Sequence, residues 1–145
     1  MVGVIAFLTY WSVTRTNDNP PAYMKTVAAY KEGTRALGAY FILADKTGAE
    51  TTAGGNVTVV VTEETARGKR QLLSQTYRVE KKDFVKTAVG QGGSRRDAVL
   101  CTLGPITYDW FAHEPRRHNQ GGMEITFIAD DGTTVTGSDI LSFDR

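Results

Sequence analysis

The chain has 145 residues, 41% of them hydrophobic and 23% charged, and its formal net charge is +1. That length suits one domain burying roughly two-thirds of its unfolded surface without help from a metal or disulfide, and the composition excludes global disorder. The near-zero charge balance gives no general pull toward nucleic acid or anionic lipid. A single cysteine, Cys101, excludes an internal disulfide framework and a CxxC redox or zinc site.

Met1 to Val13 reads MVGVIAFLTYWSV, almost wholly apolar. It is shorter than the about 20 apolar residues of a spanning helix and has neither a basic n-region nor a small-residue cleavage site. Three fates fit it: a signal or membrane anchor with Tyr10 and Trp11 at the interface, a first strand of the domain, or a strand donated to a neighbouring subunit. Asn17-Asp18-Asn19-Pro20-Pro21 follows as a linker, since paired prolines favour extended backbone and stop regular pairing. Residues 1–24 are thus read as an apolar segment plus linker, and 25–145 as one domain.

Within that domain the punctuation is regular. Lys25–Glu32 predicts an opening strand. Ala39–Ala44 is apolar on both faces and predicts a central one. Asp45-Lys46-Thr47-Gly48 and Ala53-Gly54-Gly55-Asn56 are turns, Asp accepting local backbone hydrogen bonds and Gly supplying a positive φ. Val57, Val59 and Val61 then alternate with Thr58, Val60 and Thr62, the period of a strand with one face buried. This strand ends at Glu63-Glu64, and Arg67-Gly68-Lys69 turns into Gln71–Val79, where Leu73, Gln75, Tyr77 and Val79 share a face. Asp83–Val89 is a short segment, Gly90–Ser94 a flexible loop, and Ala98–Leu103 a strand. After Gly104-Pro105 the pattern fades until Met123. Ile125, Phe127 and Ala129 resume the alternation, and Asp130-Asp131-Gly132-Thr133 is the tightest hairpin signal before a last strand from Thr134 to Phe143. The expected fold is all-β, an antiparallel sandwich of about seven or eight strands.

Charge is unevenly spread along it. Between Arg67 and Arg96 stand nine basic residues against Glu80 and Asp83 alone, whereas from Glu124 onward five acids face only Arg145. Either the basic run forms a patch for an acidic partner, or these are solvated strand faces that pair when the ends of the chain meet. Aromatic interleaving of the kind that stacks bases is thin there, so nucleic acid is not an expected partner.

The stretch from about Tyr30 to Phe143, with its strand spacing and turns, resembles the immunoglobulin-like and fibronectin type III-like modules of secreted and cell-surface prokaryotic proteins. Ala39–Glu64, with its Asp-x-x-Gly turn and Gly-Gly-Asn lead into Val57–Val61, is similar to small archaeal and bacterial surface domains. The resemblance implies an immunoglobulin-like sandwich that binds, spaces or assembles, with no shared catalytic residues. The chain departs from true immunoglobulin domains in lacking their Cys…Trp…Cys pattern, since Trp110 follows the lone Cys101.

Chemistry concentrates in Tyr108–His118, which holds both histidines. A His-Glu-x-x-His zinc motif is absent, because His118 falls five residues after His113 and Pro115 interrupts any helix. Asp109, His113 and His118 meeting in a loop would make a metal site. The plainer reading is a surface loop whose Trp110 and Phe111 plug one end of the sandwich. Between these lies recognition, for which Trp110, Phe111, His113, Arg116, Arg117 and His118 are the candidate binding residues. No catalytic residue, cofactor or metal is expected. Gly90-Gln91-Gly92-Gly93 lacks the Lys-Ser/Thr ending of a phosphate loop, and Cys101 reads as buried and inert. Asn56-Val57-Thr58 fits the glycosylation acceptor pattern and makes Asn56 a modification candidate.

The expected function is therefore a non-catalytic extracytoplasmic module for protein interaction or structural spacing, secreted or tethered to a membrane through Val2–Val13. The alternatives are a self-assembling surface subunit that donates residues 2–13 as a strand, and a metal-dependent enzyme or binding site in the 109–118 loop. A protein partner or self-association is expected, and no motif names a small-molecule ligand.

Overall fold

A computed structural model describes residues 17–90 and 95–143. The apolar segment 1–13 and positions 91–94 of the glycine loop lie outside the described residues. Nine strands are described: β1 (Tyr23–Lys31), β2 (Ala36–Ala44), β3 (Glu50–Thr51), β4 (Gly55–Thr65), β5 (Gly68–Val79), β6 (Phe84–Val89), β7 (Arg96–Thr107), β8 (Gln120–Ala129) and β9 (Thr134–Ser142). The count exceeds the expected seven or eight because β3, only two residues long, carries no alternation to read.

They form two antiparallel sheets. One runs β1-β2-β7-β6, with β3 added to β2, and the other runs β5-β4-β8-β9. The chain neighbours β1 and β2, β4 and β5, β6 and β7, and β8 and β9 pair with each other, while the central pairings β2–β7 and β4–β8 are long-range. Taken in chain order without β3, the strands follow the A-B-E-D and C′-C-F-G orders of the immunoglobulin sandwich. On one open side β1 meets β9, where the Ala29 N–H donates to Asp139 Oδ2 at 2.8 Å.

The period-two alternation builds the core directly. Val57, Val59 and Val61 of β4 and Ile125, Phe127 and Ala129 of β8 all turn inward and are buried. Phe41, Phe84 and Phe127 cluster at the centre, with Phe41 and Phe84 edge to face at 5.7 Å. β2 is buried on both faces, as its composition implies, because Ile42 packs outward into a satellite cluster with Ala98 and Leu100.

Pairing register shifts at three places among the described strands, the first between Met24 and Thr26 of β1. β7 does not end at Gly104-Pro105 but continues to Thr107. It passes a bulge at which Ala39 pairs with Leu103 and Leu37 with Ile106. Glycine is required at 104, because its φ is +115° and an added Cβ would sit 3.0 Å from the Leu37 carbonyl oxygen. In β5 another bulge falls at Leu72, between the pairs Val61–Leu73 and Thr62–Gln71.

Truncating the shared centre tests this packing. Phe127→Ala is expected to lower unfolding stability by about 3–5 kcal/mol, read from urea denaturation. A loss below about 1 kcal/mol would contradict the burial of this ring between the sheets.

Candidate functional site

The inward row of β4 continues past its valines to Glu63, whose side chain is fully buried at the end of the sandwich. A carboxylate in such a position needs donors. The Leu72 bulge supplies one by changing the parity of β5, so that Arg70 rather than Gln71 stands opposite Glu63. Arg70 Nη2 donates to Glu63 Oε1 at 2.6 Å. The other oxygen, Oε2, accepts from the Arg116 backbone N–H at 2.6 Å and from Asn119 Nδ2 at 2.9 Å. Burial pushes the Glu63 pKa up, but these hydrogen bonds outweigh it and hold the carboxyl below its ordinary 4.5.

Glu63 thereby clamps the loop that runs from β7 to β8. Other contacts fix the rest of it. The Ala112 N–H donates to the carbonyl of Leu72 in the bulge, at 2.8 Å, and the Phe143 N–H to the carbonyl of Asn119, at 2.9 Å. Arg35 reaches from the start of β2 to Asp109 at 3.3 Å and to both oxygens of Glu114, with its guanidinium 5.7 Å from the centre of the Tyr108 ring. Tyr108 is buried and stacks on Phe111 at 5.0 Å.

These contacts sort the sequence candidates. Phe111 packs against the core, but its partner in plugging the sandwich is Tyr108, not Trp110, which is 50% exposed. The expectation that Trp110 closes this end is corrected: a 3-10 turn over Tyr108–Trp110 aims the tyrosine inward and the tryptophan outward. His113, Arg116, Arg117 and His118 are all exposed, with His118 in the left-handed region at φ 66°. Asp109 is engaged by Arg35. Among the described residues no group of three or more His, Cys, Asp and Glu side chains is placed to hold a metal ion. Asn56 is exposed near the start of β4. Cys101 is buried in β7, and burial, with the Asp83 charge adding to it, pushes its thiol up to about 12.

Facing the clamped loop is the β4–β5 turn. Gly68, at φ +110°, lets the chain re-enter the ladder after Ala66-Arg67, and Thr65 Oγ1 donates to the Gly68 carbonyl at 2.6 Å. Turn and loop wall a cavity of about 890 Å³ lined by Arg67, Lys69, Arg70, Arg116, Asn119 and Glu64, among others. Sequence reasoning found Arg116 and missed Glu63 and Arg70. The signal for Glu63 was present: it extends the inward register of Val57, Val59 and Val61 by one step.

The opposite end of the sandwich is held by a second buried carboxylate. Asp45 accepts from Asn17 Nδ2 at 2.8 Å, Asn19 Nδ2 at 3.0 Å, and the N–H groups of Thr47 and Ala49 at 2.9 and 3.1 Å. The Asn17 and Asn19 carbonyls accept from Thr51 Oγ1. The chain thus enters the domain at the end remote from the 108–119 loop.

No protein-family model matches the chain, and no curated protein matches it. Among solved structures, a myokine is similar over 87% of this chain and 100% of its own, at 5% identity and a TM-score of 0.45. MtrC from Shewanella baltica OS185 is similar over 83% of this chain at 11% identity and a TM-score of 0.46, and the matched region is 22% of MtrC.

Two measurements check the clamp. Glu63→Ala leaves three donors without their acceptor and is expected to cost about 2–4 kcal/mol in urea denaturation, with Glu63→Gln, which keeps one acceptor oxygen, losing less. The pH dependence follows from Asp45 and Glu63 together. Hydrogen bonds from Thr47, Asn19 and Asn17 hold Asp45 well below its ordinary 3.8, and Glu63 is lowered as well. Stability from a depressed carboxyl is complete above its unfolded pKa and is lost as pH falls through the folded one. The melting temperature is therefore expected to be flat from about pH 7 to about pH 5 and to fall below about pH 4. Asp45→Asn lowers the plateau and flattens that acid limb; an unchanged limb contradicts the assignment.

Proposed function

We propose that the chain is a non-catalytic extracytoplasmic β-sandwich module for protein interaction or structural spacing, secreted or tethered through its apolar N-terminal segment. The finer family reading, an immunoglobulin-like or fibronectin type III-like module of prokaryotic cell-surface or secreted proteins, goes with it. Its strand order supports that reading at the level of architecture.

The observation that carries the proposal is the separation of the two ends. Asn17 and Asn19 bring the chain in at the Asp45 end, while the loop with half-exposed Trp110 and the cations Arg116 and Arg117 stands at the Glu63 end. A tether at one end holds a recognition loop at the other away from its anchor. Aromatic and arginine side chains on a rigid loop are what binding hot spots use, and Glu63 and Arg35 supply the rigidity.

A second reading, self-assembly through residues 2–13 as a donated strand, draws on β6. This six-residue strand is outermost in its sheet, and Val85 on it is 56% exposed.

Removing residues 1–16 separates the two, because it spares the hydrogen bonds of Asn17 and Asn19 to Asp45 and Thr51. The module reading expects a folded monomer in light scattering, an unchanged melting temperature and loss of membrane sedimentation or secretion. Aggregation or a large drop in melting temperature would favour the donated strand instead.

A further inference from the structure

The basic residues of this protein are not treated alike by the fold. Arg78 pairs with Glu80 and with Asp130, Lys81 with Asp18, and Arg96 with Glu50. Lys46, Lys82, Lys86, Arg95 and Arg117 form no salt bridge among the described residues, and what sets the Glu63 end apart is that several such cations gather around one cavity. Among the described residues, no carboxylate lies within salt-bridge distance of the charged groups of Arg67, Lys69 or Arg116. Lys69 stands opposite Glu64 in the ladder without forming an ion pair. Only Arg70 is engaged, through Nη2, and its Nε is buried with no hydrogen-bond partner. Four cations thus share one cavity with Glu64 as the sole carboxylate on its wall among the described residues.

The backbones that carry these cations are also held in place. The Arg116 backbone is fixed by Glu63, and Arg67 sits at the tip of a turn set by Gly68. Lys69 and Arg70 belong to β5. Like charges gathered on rigid elements raise the local potential, and an anion that bridges them has only side chains, not backbone, to order. Guanidinium forks suit oxyanions that accept two parallel hydrogen bonds. The volume of about 890 Å³ exceeds what one such group fills and lies within the range of small-molecule sites. No aromatic residue among the described ones lines the cavity, so nothing there offers a platform for stacking bases.

We propose that this cavity binds a compact polyanion, a small ligand carrying two or more phosphate, sulfate or carboxylate groups. The proposal deepens the interaction reading and rests on it, naming the chemistry taken up at the recognition end.

The test is calorimetric titration of the full chain with inorganic tripolyphosphate, a trisulfated disaccharide and trigalacturonate, which separates the three sources of oxyanion. Binding of at least one is expected, weakening steeply between roughly 50 and 200 mM salt. Arg67→Glu and Arg116→Glu, both at exposed side chains, are each expected to weaken it by about tenfold or more. Lys86→Glu, which makes the same change of net charge on β6 away from the cavity, should leave it nearly unaltered. Equal losses from Lys86→Glu would overturn the site, as would the absence of binding by all three probes at low salt. Tighter binding of a thymidine oligonucleotide than of tripolyphosphate at matched charge would also overturn it, in favour of nucleic acid. Thermal melts of each variant separate lost binding from lost fold. Failure of the titrations leaves the module reading standing or falling on the truncation of residues 1–16, which does not touch the cavity.

Discussion

A buried carboxylate at the end of a valine row organises the functional half of this molecule. Glu63 occupies a position where the strand period calls for another hydrophobe, and desolvating its charge opposes folding. Three donors offset that cost, and two of them come from the loop between β7 and β8. A loop of this length cannot satisfy its own backbone in a ladder, so its N–H groups must find acceptors elsewhere. Glu63 and the Leu72 carbonyl provide them. Hydrophobic closure of the same end would exclude water equally well but would leave the Arg116 N–H without a partner.

The bulge at Leu72 makes this arrangement possible in three ways at once. The bulge buries an additional leucine in the core, frees a carbonyl for Ala112, and rotates Arg70 into register with Glu63. Without the extra residue Gln71 would face Glu63, and the charge would lack its guanidinium. Asp45 repeats the logic at the other end with neutral donors, tying Asn17 and Asn19 to the turn before β3. Each end of the sandwich therefore relies on one acidic side chain to fasten a segment that no strand pairing holds.

The strands were legible wherever alternation was uninterrupted, as in Val57–Val61, Ile125–Ala129 and the Asp130–Thr133 hairpin, because period two is a local property. What escaped was non-local or broke the period. Leu73, Gln75, Tyr77 and Val79 do share a face, but continuing that row to Gln71 fails at the bulge, and nothing in the local sequence marks Leu72 as the extra residue. β7 runs on past Gly104-Pro105 because its pairing with β2 shifts register there, a fact about pairing and not about composition. The loop Tyr108–His118 stood out by its residue types, yet its anchors Arg35 and Glu63 lie 74 and 53 residues away from the positions they hold. Exposure of Trp110 was decided by a single 3-10 turn.

The charge asymmetry along the chain resolves in space into two different outcomes. Pairing of the basic run with the acidic C-terminal third does occur, in Arg78 with Asp130, but at the end where the chain enters. At the other end, Gly121 and Gly122 stand where β8 faces Glu63 and Thr62, and no described carboxylate of β8 or β9 reaches Arg67 or Lys69. A fold with acids to spare elsewhere, Glu124 and Asp131 among the exposed ones, has brought Glu64 alone, among the described carboxylates, to the wall of this cavity. Exposed ion pairs contribute little to stability, so leaving these cations unpaired costs the fold little. What it changes is the potential of the cavity, and that is a property a ligand can use and the folded chain by itself cannot.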